Sequence, residues 1–525
     1  TRDLTIKRGG AYPSDHHHYL ASEPPPRPGE LTVGEVECRF LVREEGDEPQ
    51  FAALPAIPDM YVDTAVSSFP GDARDPSHHF LPVSEHWLKR FLNTWKDEGV
   101  FPALEGVASN PDLTGSSVQG MVSWVLAGRR WADAAFTKLL AHKSTLTAKE
   151  MVTQLSPIPD WENSPVRAMD LHPRLPYIAL ARQDDAIEIR DLSGMEPGIV
   201  LRDRDQSLVT CLQWAPHANS LLAVGSKVGV LLWFVDPSQP ACRFLTSWVR
   251  VETSPGHVPV ATISWSPCAN YLVSGSPADT NLVVWDVPMG VATRVCRTEG
   301  GGVNLVAMAP RGGRVLAGSV GGVLRVWETG NWTCEKWTNT SEARCQVACW
   351  SPDGDFLLFA LHGDPALYYL CFRGNSTAGS VSAVKCADLS PCAYRDDSGH
   401  EPIVVGGAVQ SMAWDSTGER LAIIFTEESP GHNLVAVLRT KISTVVEVLP
   451  GGYVRGEGGD IPQMVTFQRN CCHGALLATA WLSGRVSFTP LLFTHLPSSL
   501  LPSFPIPPSL HQSQLYSTYN EPEYY

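Results

Sequence analysis

His257, Ser274 and Asp279 lie within 22 residues of one another. They are the residue types from which a hydrolase builds a nucleophile, its general base and the carboxylate that orients the base. The surrounding sequence argues for a different use. No GxSxG turn lifts a serine out of a strand, Gly256 stands directly before His257, and Trp285-Asp286 closes the strand that follows Asp279. In that setting His257, Ser274, Asp279 and Trp285 read as a buried chain of side chains that satisfy one another and tie an outer loop to inner strands. No residue is assigned a catalytic role, and the chain is read as a non-enzyme.

Other groups that could do chemistry read in the same way. Gly456, Gly458 and Gly459 have no helix behind them, so they form a loop rather than a dinucleotide cradle. His16, His17 and His18 are three adjacent side chains in a polar leader, where converging on a metal would carry a large ordering cost. Thirteen cysteines, an odd number without any CxxC pair, sit in apolar stretches such as those around Cys211, Cys349 and Cys371. They read as free, buried thiols in a reducing compartment. Neither a metal nor a cofactor is expected.

The elements that would position these residues are constrained by composition. Of 525 residues, 43% are hydrophobic and 18% charged, so a large core is available and wholesale disorder is excluded. Glycine (43) and proline (42) are dense, which favours many short strands joined by tight turns. The formal charge of −15 opposes extended contact with phosphate backbones, so nucleic acid is not expected as a direct ligand. No apolar run approaches the roughly 18 residues of a membrane span. The nearest, residues 121–128, is closed by Arg129 and Arg130. Nothing near Thr1 has the order of a signal peptide, and an intracellular place follows by default. The sequons at Asn331, Asn339 and Asn375 are read as silent.

Along the chain, residues 1–29 read as a flexible leader and residues 30–43 as short alternating strands. A Pro-rich passage from Pro49 to Pro82 follows. Between residues 84 and 156 the period changes to 3.6, and Trp87, Phe91 and Trp95 fall on one helical stripe opposite Lys89, Arg90 and Lys96. That stripe is expected to pack as core or to meet a partner. Capping boxes at Ser116/Gln119 and Thr147/Glu150 open further helices.

From residue 165 to residue 493 a repeat emerges, each copy a strand running into a proline or glycine turn. Its centres at Leu171, Trp214, Trp265, Met308, Trp350, Trp414 and Phe467 are separated by 43, 51, 43, 42, 64 and 53 residues. This spacing suits four-stranded propeller blades with loops. The third copy carries the full pattern of a WD repeat. The fold expected is all-β, a seven-bladed WD40-type propeller with a helical segment before the repeats, closed by residues 31–36 pairing into the last blade beside residues 484–491. Residues 373–400 read as a surface insertion between blades, and residues 494–525 as a Pro/Ser-rich disordered tail.

Several stretches are more specific than the repeat itself. PGHVPVATISWSPCAN (255–270), GGVLRVWETGNWTCEKW (321–337), ARCQVACWSPDG (343–354), GALLATAWLSGRVSFTPLLF (474–493) and WLKRFLNTWKDEGVF (87–101) together resemble the aladin family of WD-repeat nucleoporins. The resemblance covers residues 24–493. It departs at Leu171, where the family pattern has a Trp before the His-Pro of the first blade, a change expected to loosen that blade; the tail after residue 493 also diverges. The resemblance implies a non-enzymatic scaffold of the nuclear pore complex, docked at the nuclear envelope through a transmembrane nucleoporin of the pore membrane ring. It implies contact with other nucleoporins and support of nucleocytoplasmic transport of protein and mRNA, with the cytoplasm and spindle poles as further locations. Direct membrane insertion is not expected. The competing reading is a cytosolic WD-repeat adaptor for ubiquitin-ligase or signalling complexes.

Overall fold

The computed structural model describes residues 2–3, 24–46, 57–62, 146–193, 198–217, 220–235, 248–295, 301–338, 343–373, 382–394, 402–471 and 474–493. The chain divides into two compact units, Thr1–Val66 with Ala148–Tyr525, and Ser67–Thr147. The first holds nearly all the described residues. Trp87, Phe91 and Trp95 lie outside them, as do the Ser116/Gln119 box, the His16–His18 triplet and the tail.

Seven antiparallel sheets follow one another in the sequence, with inner strands Val166–Leu171, Cys211–Trp214, Thr262–Trp265, Val303–Met308, Cys345–Trp350, Val409–Trp414 and Pro462–Phe467. Each inner strand touches that of the next sheet, and Pro462–Phe467 returns to Val166–Leu171, so the ring closes into a seven-bladed propeller.

The strands behind each turn are largely apolar because blades cover them on both faces. Phe356–Leu361 (FLLFAL) shows why. Phe356, Leu358 and Ala360 join the core shared with the sixth blade, whereas Leu357, Phe359 and Leu361 join the core shared with the fourth. Successive side chains point to opposite faces, so one hairpin contributes to two cores. The turn before it needs Gly354, whose φ of 70° lets its N–H reach the carbonyl of Ser351 at 2.8 Å.

In the first blade Leu171 is fully buried, packed with Met60, Ile178 and Leu476. Beside it, Nδ1 of the buried His172 accepts the N–H groups of Arg174 and Leu175, and its ring meets Trp214 edge-on at 4.8 Å.

Closure is divided between two segments. Strand Glu30–Val36 pairs with Arg485–Leu492, but in parallel and only through Glu35↔Leu491 and Val36↔Leu492. At the other end of the same edge Met60–Tyr61 pairs antiparallel, through Val486 and Arg485. That second strand lies in the passage the sequence reads only as Pro-rich. The hairpin of Glu30–Val36 with Arg39–Glu44 also reaches the sixth blade, where Phe40 packs so closely on Gly452 that an added Cβ would lie 2.2 Å from its ring.

Two sequence readings need correction. The leader is anchored where it is described: Arg2–Asp3 pairs in parallel with Thr333–Thr338, and Pro25 and Pro26 are buried. Residues 373–400 are not wholly an insertion, because Val384–Asp388 is the fourth strand of the fifth blade and Cys392–Tyr394 begins a hairpin with Ile403–Val405. Their polar composition hides them: Val384–Asp388 is an outer strand, covered on one side only, and needs no continuous apolar run.

Candidate functional site

The third blade brings its four singled-out residues together. Nδ1 of His257 lies 2.9 Å from Oδ2 of Asp279, and Nε2 lies 2.8 Å from Oγ of Ser274. The indole Nε1 of Trp285 donates to the same Oγ at 2.8 Å. Ser274 and Trp285 lie on adjacent strands, Ser274 opposite Val283 and Trp285 opposite Leu272, whereas His257 arrives from the loop before the blade. His257 is 1% exposed and Ser274 0%. Burial outweighs the Asp279 carboxylate and pulls the imidazole below its ordinary pKa. A neutral ring with the proton on Nδ1 satisfies every contact: Trp285 donates to Ser274, Ser274 to Nε2, and Nδ1 to Asp279. The order is that of a hydrolytic triad, but a serine hydroxyl with no exposed surface meets no substrate. The arrangement therefore braces a loop.

Other blades use related devices. Trp233 Nε1 donates to Oε1 of Gln206 at 3.0 Å, and Trp481 Nε1 to Oγ of Ser487 at 2.8 Å.

Where the inner strands end, residues from all seven blades line one mouth of the central channel, a cavity of about 710 Å3. Asp170 lies inside it. Its Oδ2 accepts the N–H of Trp214 at 2.7 Å, yet burial pushes its carboxyl up to about 6 in spite of nearby Arg469. Arg174 donates to Nδ1 of His217 at 3.1 Å on the rim. This group is not legible in the sequence, since Asp170 lies in the inner strand of the first repeat while His217 and Arg469 fall in turns of the second and seventh.

The other end of the inner strands is covered. A helix, Ala148–Leu155, follows the stretch that the Thr147/Glu150 spacing marks. With the segment after it, it packs Val152, Ile158 and Trp161 against Met464 and Leu208. Gln410 donates to the carbonyl of Pro157 and Arg344 to that of Gln154. One short segment thus touches the second, fifth, sixth and seventh blades.

On the outside, Trp248 is half exposed and stacks on Phe234 with ring centroids 3.8 Å apart. Tyr271, Met289 and Val291 are exposed nearby on the third blade. A groove of about 780 Å3 runs between the third and fourth blades beside Tyr271, Arg294 and Trp332. The ten described cysteines are free thiols; Cys345 and Cys386 are buried, but Cys38, Cys268 and Cys334 are exposed, against the uniformly buried reading. Among the described residues no group of His, Cys, Asp and Glu is arranged to hold a metal ion.

A family profile described as the Aladin seven-bladed propeller matches residues 147–492. Aladin of Arabidopsis thaliana is 26% identical over 339 residues, covering 60% of this chain and 73% of that protein. The WD repeat and HMG-box DNA-binding protein 1 of Xenopus laevis is 27% identical over 141 residues, 26% of this chain and 11% of its own. Among solved structures, the β-propeller domain of Cps50 (Swd1) from Myceliophteria thermophila aligns with a TM-score of 0.44 at 15% identity, over 62% of this chain and 96% of that one.

Proposed function

Because the chain belongs to the aladin family of seven-bladed WD-repeat scaffold propellers, we propose that it serves as a nucleoporin, held at the nuclear pore complex by a transmembrane nucleoporin and supporting nucleocytoplasmic transport. The observation that carries this reading is the family match across the whole ring, residues 147–492. The architecture supports it in a second way. A propeller closed by its own N-terminal segments is a rigid disc with separate faces and rim, which suits holding several partners at once. The His257–Ser274–Asp279 chain, the arrangement closest to a catalytic one, is used up inside a blade.

Anchoring through a protein is the route favoured by the charge of −15, which is repelled by anionic leaflets. Among the described residues no helix is long and apolar enough to cross a membrane. The test is imaging of the tagged full chain together with proximity labelling. A punctate nuclear rim and labelled pore-membrane proteins are expected. A diffuse cytosolic signal with labelled ligase or signalling components would replace the reading with that of a cytosolic adaptor.

A further inference from the structure

The segment that covers one end of the channel is held through its backbone. In five of the seven inner strands a β-bulge leaves the second residue without a partner across the sheet, and in each it is polar: Arg167, Asn304, Gln346, Gln410 and Gln463. A bulge turns a side chain out of the regular pleat. Gln410, Gln463 and Arg167 belong to the sixth, seventh and first blades, which are consecutive around the ring, and residues 157–162 run past them. Gln410, 4% exposed, donates from Nε2 to the carbonyl of Pro157 at 2.7 Å. Arg167 donates from Nη2 to the carbonyl of Glu162 at 3.1 Å and lies 4.1 Å over the ring of Trp161. Arg344 and Gln183 donate to the carbonyls of Gln154 and Glu162, each at 3.1 Å. All four of these bonds end on main chain, so the ring grips a polypeptide backbone rather than particular polar side chains.

Gln463, between the two gripping residues, is left out. It is 1% exposed, and among the described residues neither its Nε2 nor its Oε1 has a hydrogen-bond partner. The indole Nε1 of Trp161 is buried without one as well. Such groups bond to water once uncovered, so their desolvation opposes closure of the segment over them. The rest of the segment is lightly held, since Val152 is the one buried residue of helix Ala148–Leu155. An unmatched primary amide, donor and acceptor side by side, is the complement of a peptide group.

We propose that residues 148–164 form a strap that opens as a local unit, and that the channel end beneath it is a receptor for an extended segment of a partner polypeptide, which takes the strap's place. The partner segment presents carbonyls to Gln410 and Arg167, an aromatic ring to the Arg167 guanidinium and, unlike the strap, a peptide group to Gln463. Strap and partner compete for one site. The partner's apparent affinity is therefore its intrinsic affinity scaled by the fraction of chains that are open, and any change that tightens or loosens the strap regulates it.

The test uses the purified full chain. Hydrogen exchange of residues 148–158 is expected to proceed by an opening that leaves the inner strands of the fifth, sixth and seventh blades protected. The two equivalent glutamines then act with opposite sign. Gln410→Leu removes a bond that closes the strap and is expected to speed this exchange roughly fivefold or more, whereas Gln463→Leu removes the unmatched amide and is expected to slow it by a similar factor. A fluorescent peptide of residues 148–164 probes the receptor. It is expected to bind roughly tenfold or more tightly to the Trp161→Ala chain, whose own strap is weakened while the blades are unaltered, than to the unaltered chain, and a scrambled peptide to bind neither. Ile158→Ala takes the same role should Trp161→Ala fail to fold. Exchange of residues 148–158 only together with the inner strands, absent or same-sign shifts in the two glutamine variants, or peptide binding no tighter in the strap variant overturns the proposal.

Discussion

Arg420 grips Glu35, 385 residues away in sequence, through two hydrogen bonds of 2.9 and 2.7 Å, with the side chains 3% and 1% exposed. The guanidinium also lies 4.0 Å over the ring of Phe493. One side chain of the sixth blade therefore holds both the closing strand and the end of the last blade.

Glu35→Gln is expected to destabilise the protein by about 3–5 kcal/mol, because it strands a buried guanidinium. The double variant Glu35→Leu with Arg420→Met should recover much of that loss. Urea unfolding midpoints of the single and double variants check this; equal loss in both would mean that packing rather than charge sets the cost.

Trp285→Ala is expected to cost about 3–5 kcal/mol through the cavity it leaves, and Trp285→Phe, which mainly removes the indole donor, about 1–3 kcal/mol. Asp279→Asn should also lower stability. Urea midpoints supply the values. A variant that kept full stability while losing a partner would make the network a contact site.

Two groups give opposite pH dependences. His257 is held below its ordinary pKa by burial, so the unfolded chain takes up its proton first, and the stability that His257 contributes is lost as pH falls below about 6.5. Asp170 is held up at about 6 against an ordinary 3.8. The folded state keeps its proton longer, so Asp170 weakens the fold as pH rises from about 4 through about 6. Chemical denaturation between pH 5 and 8 should show the acid loss reduced in His257→Gln and the opposing slope removed in Asp170→Asn. Arg469→Ala should move the Asp170 carboxyl further up, observable by NMR titration.

Thiol reactivity should follow exposure and hydrogen bonding. Cys268 is exposed, and the hydroxyl of Ser266 lowers its pKa. Burial pushes Cys345 and Cys386 up to about 12 and raises Cys349 still further. Under native alkylation with mass-spectrometric readout, Cys268 should be modified well before these three. Early modification of Cys349 would show that the fifth blade opens readily.

Membrane association should require a protein. Purified chain is expected to stay at the bottom of a flotation gradient with liposomes of nuclear-envelope composition, and to float once a transmembrane nucleoporin is reconstituted in them. Flotation with protein-free liposomes would point instead to direct lipid contact, for which the Trp87/Phe91/Trp95 stripe is the first region to alter.

The sequence by itself determined the ring. Each blade writes its own local signal, an apolar strand, a turn and a second strand, because a hairpin buried on both faces is apolar at most positions, as in FLLFAL. It also determined the third blade's network, whose four members lie within one repeat. Only the tertiary structure decided how the ring is sealed. Glu35 with Arg420, the parallel pairing of Glu35 and Val36 and the second closing strand Met60–Tyr61 each join residues hundreds of positions apart. Such contacts leave no period in the sequence. The same holds for Asp170, whose unusual carboxyl arises from the channel that seven separate strands build around it. Local chemistry repeats and can be read along the chain, whereas electrostatic environment is set by whichever distant groups the fold brings near.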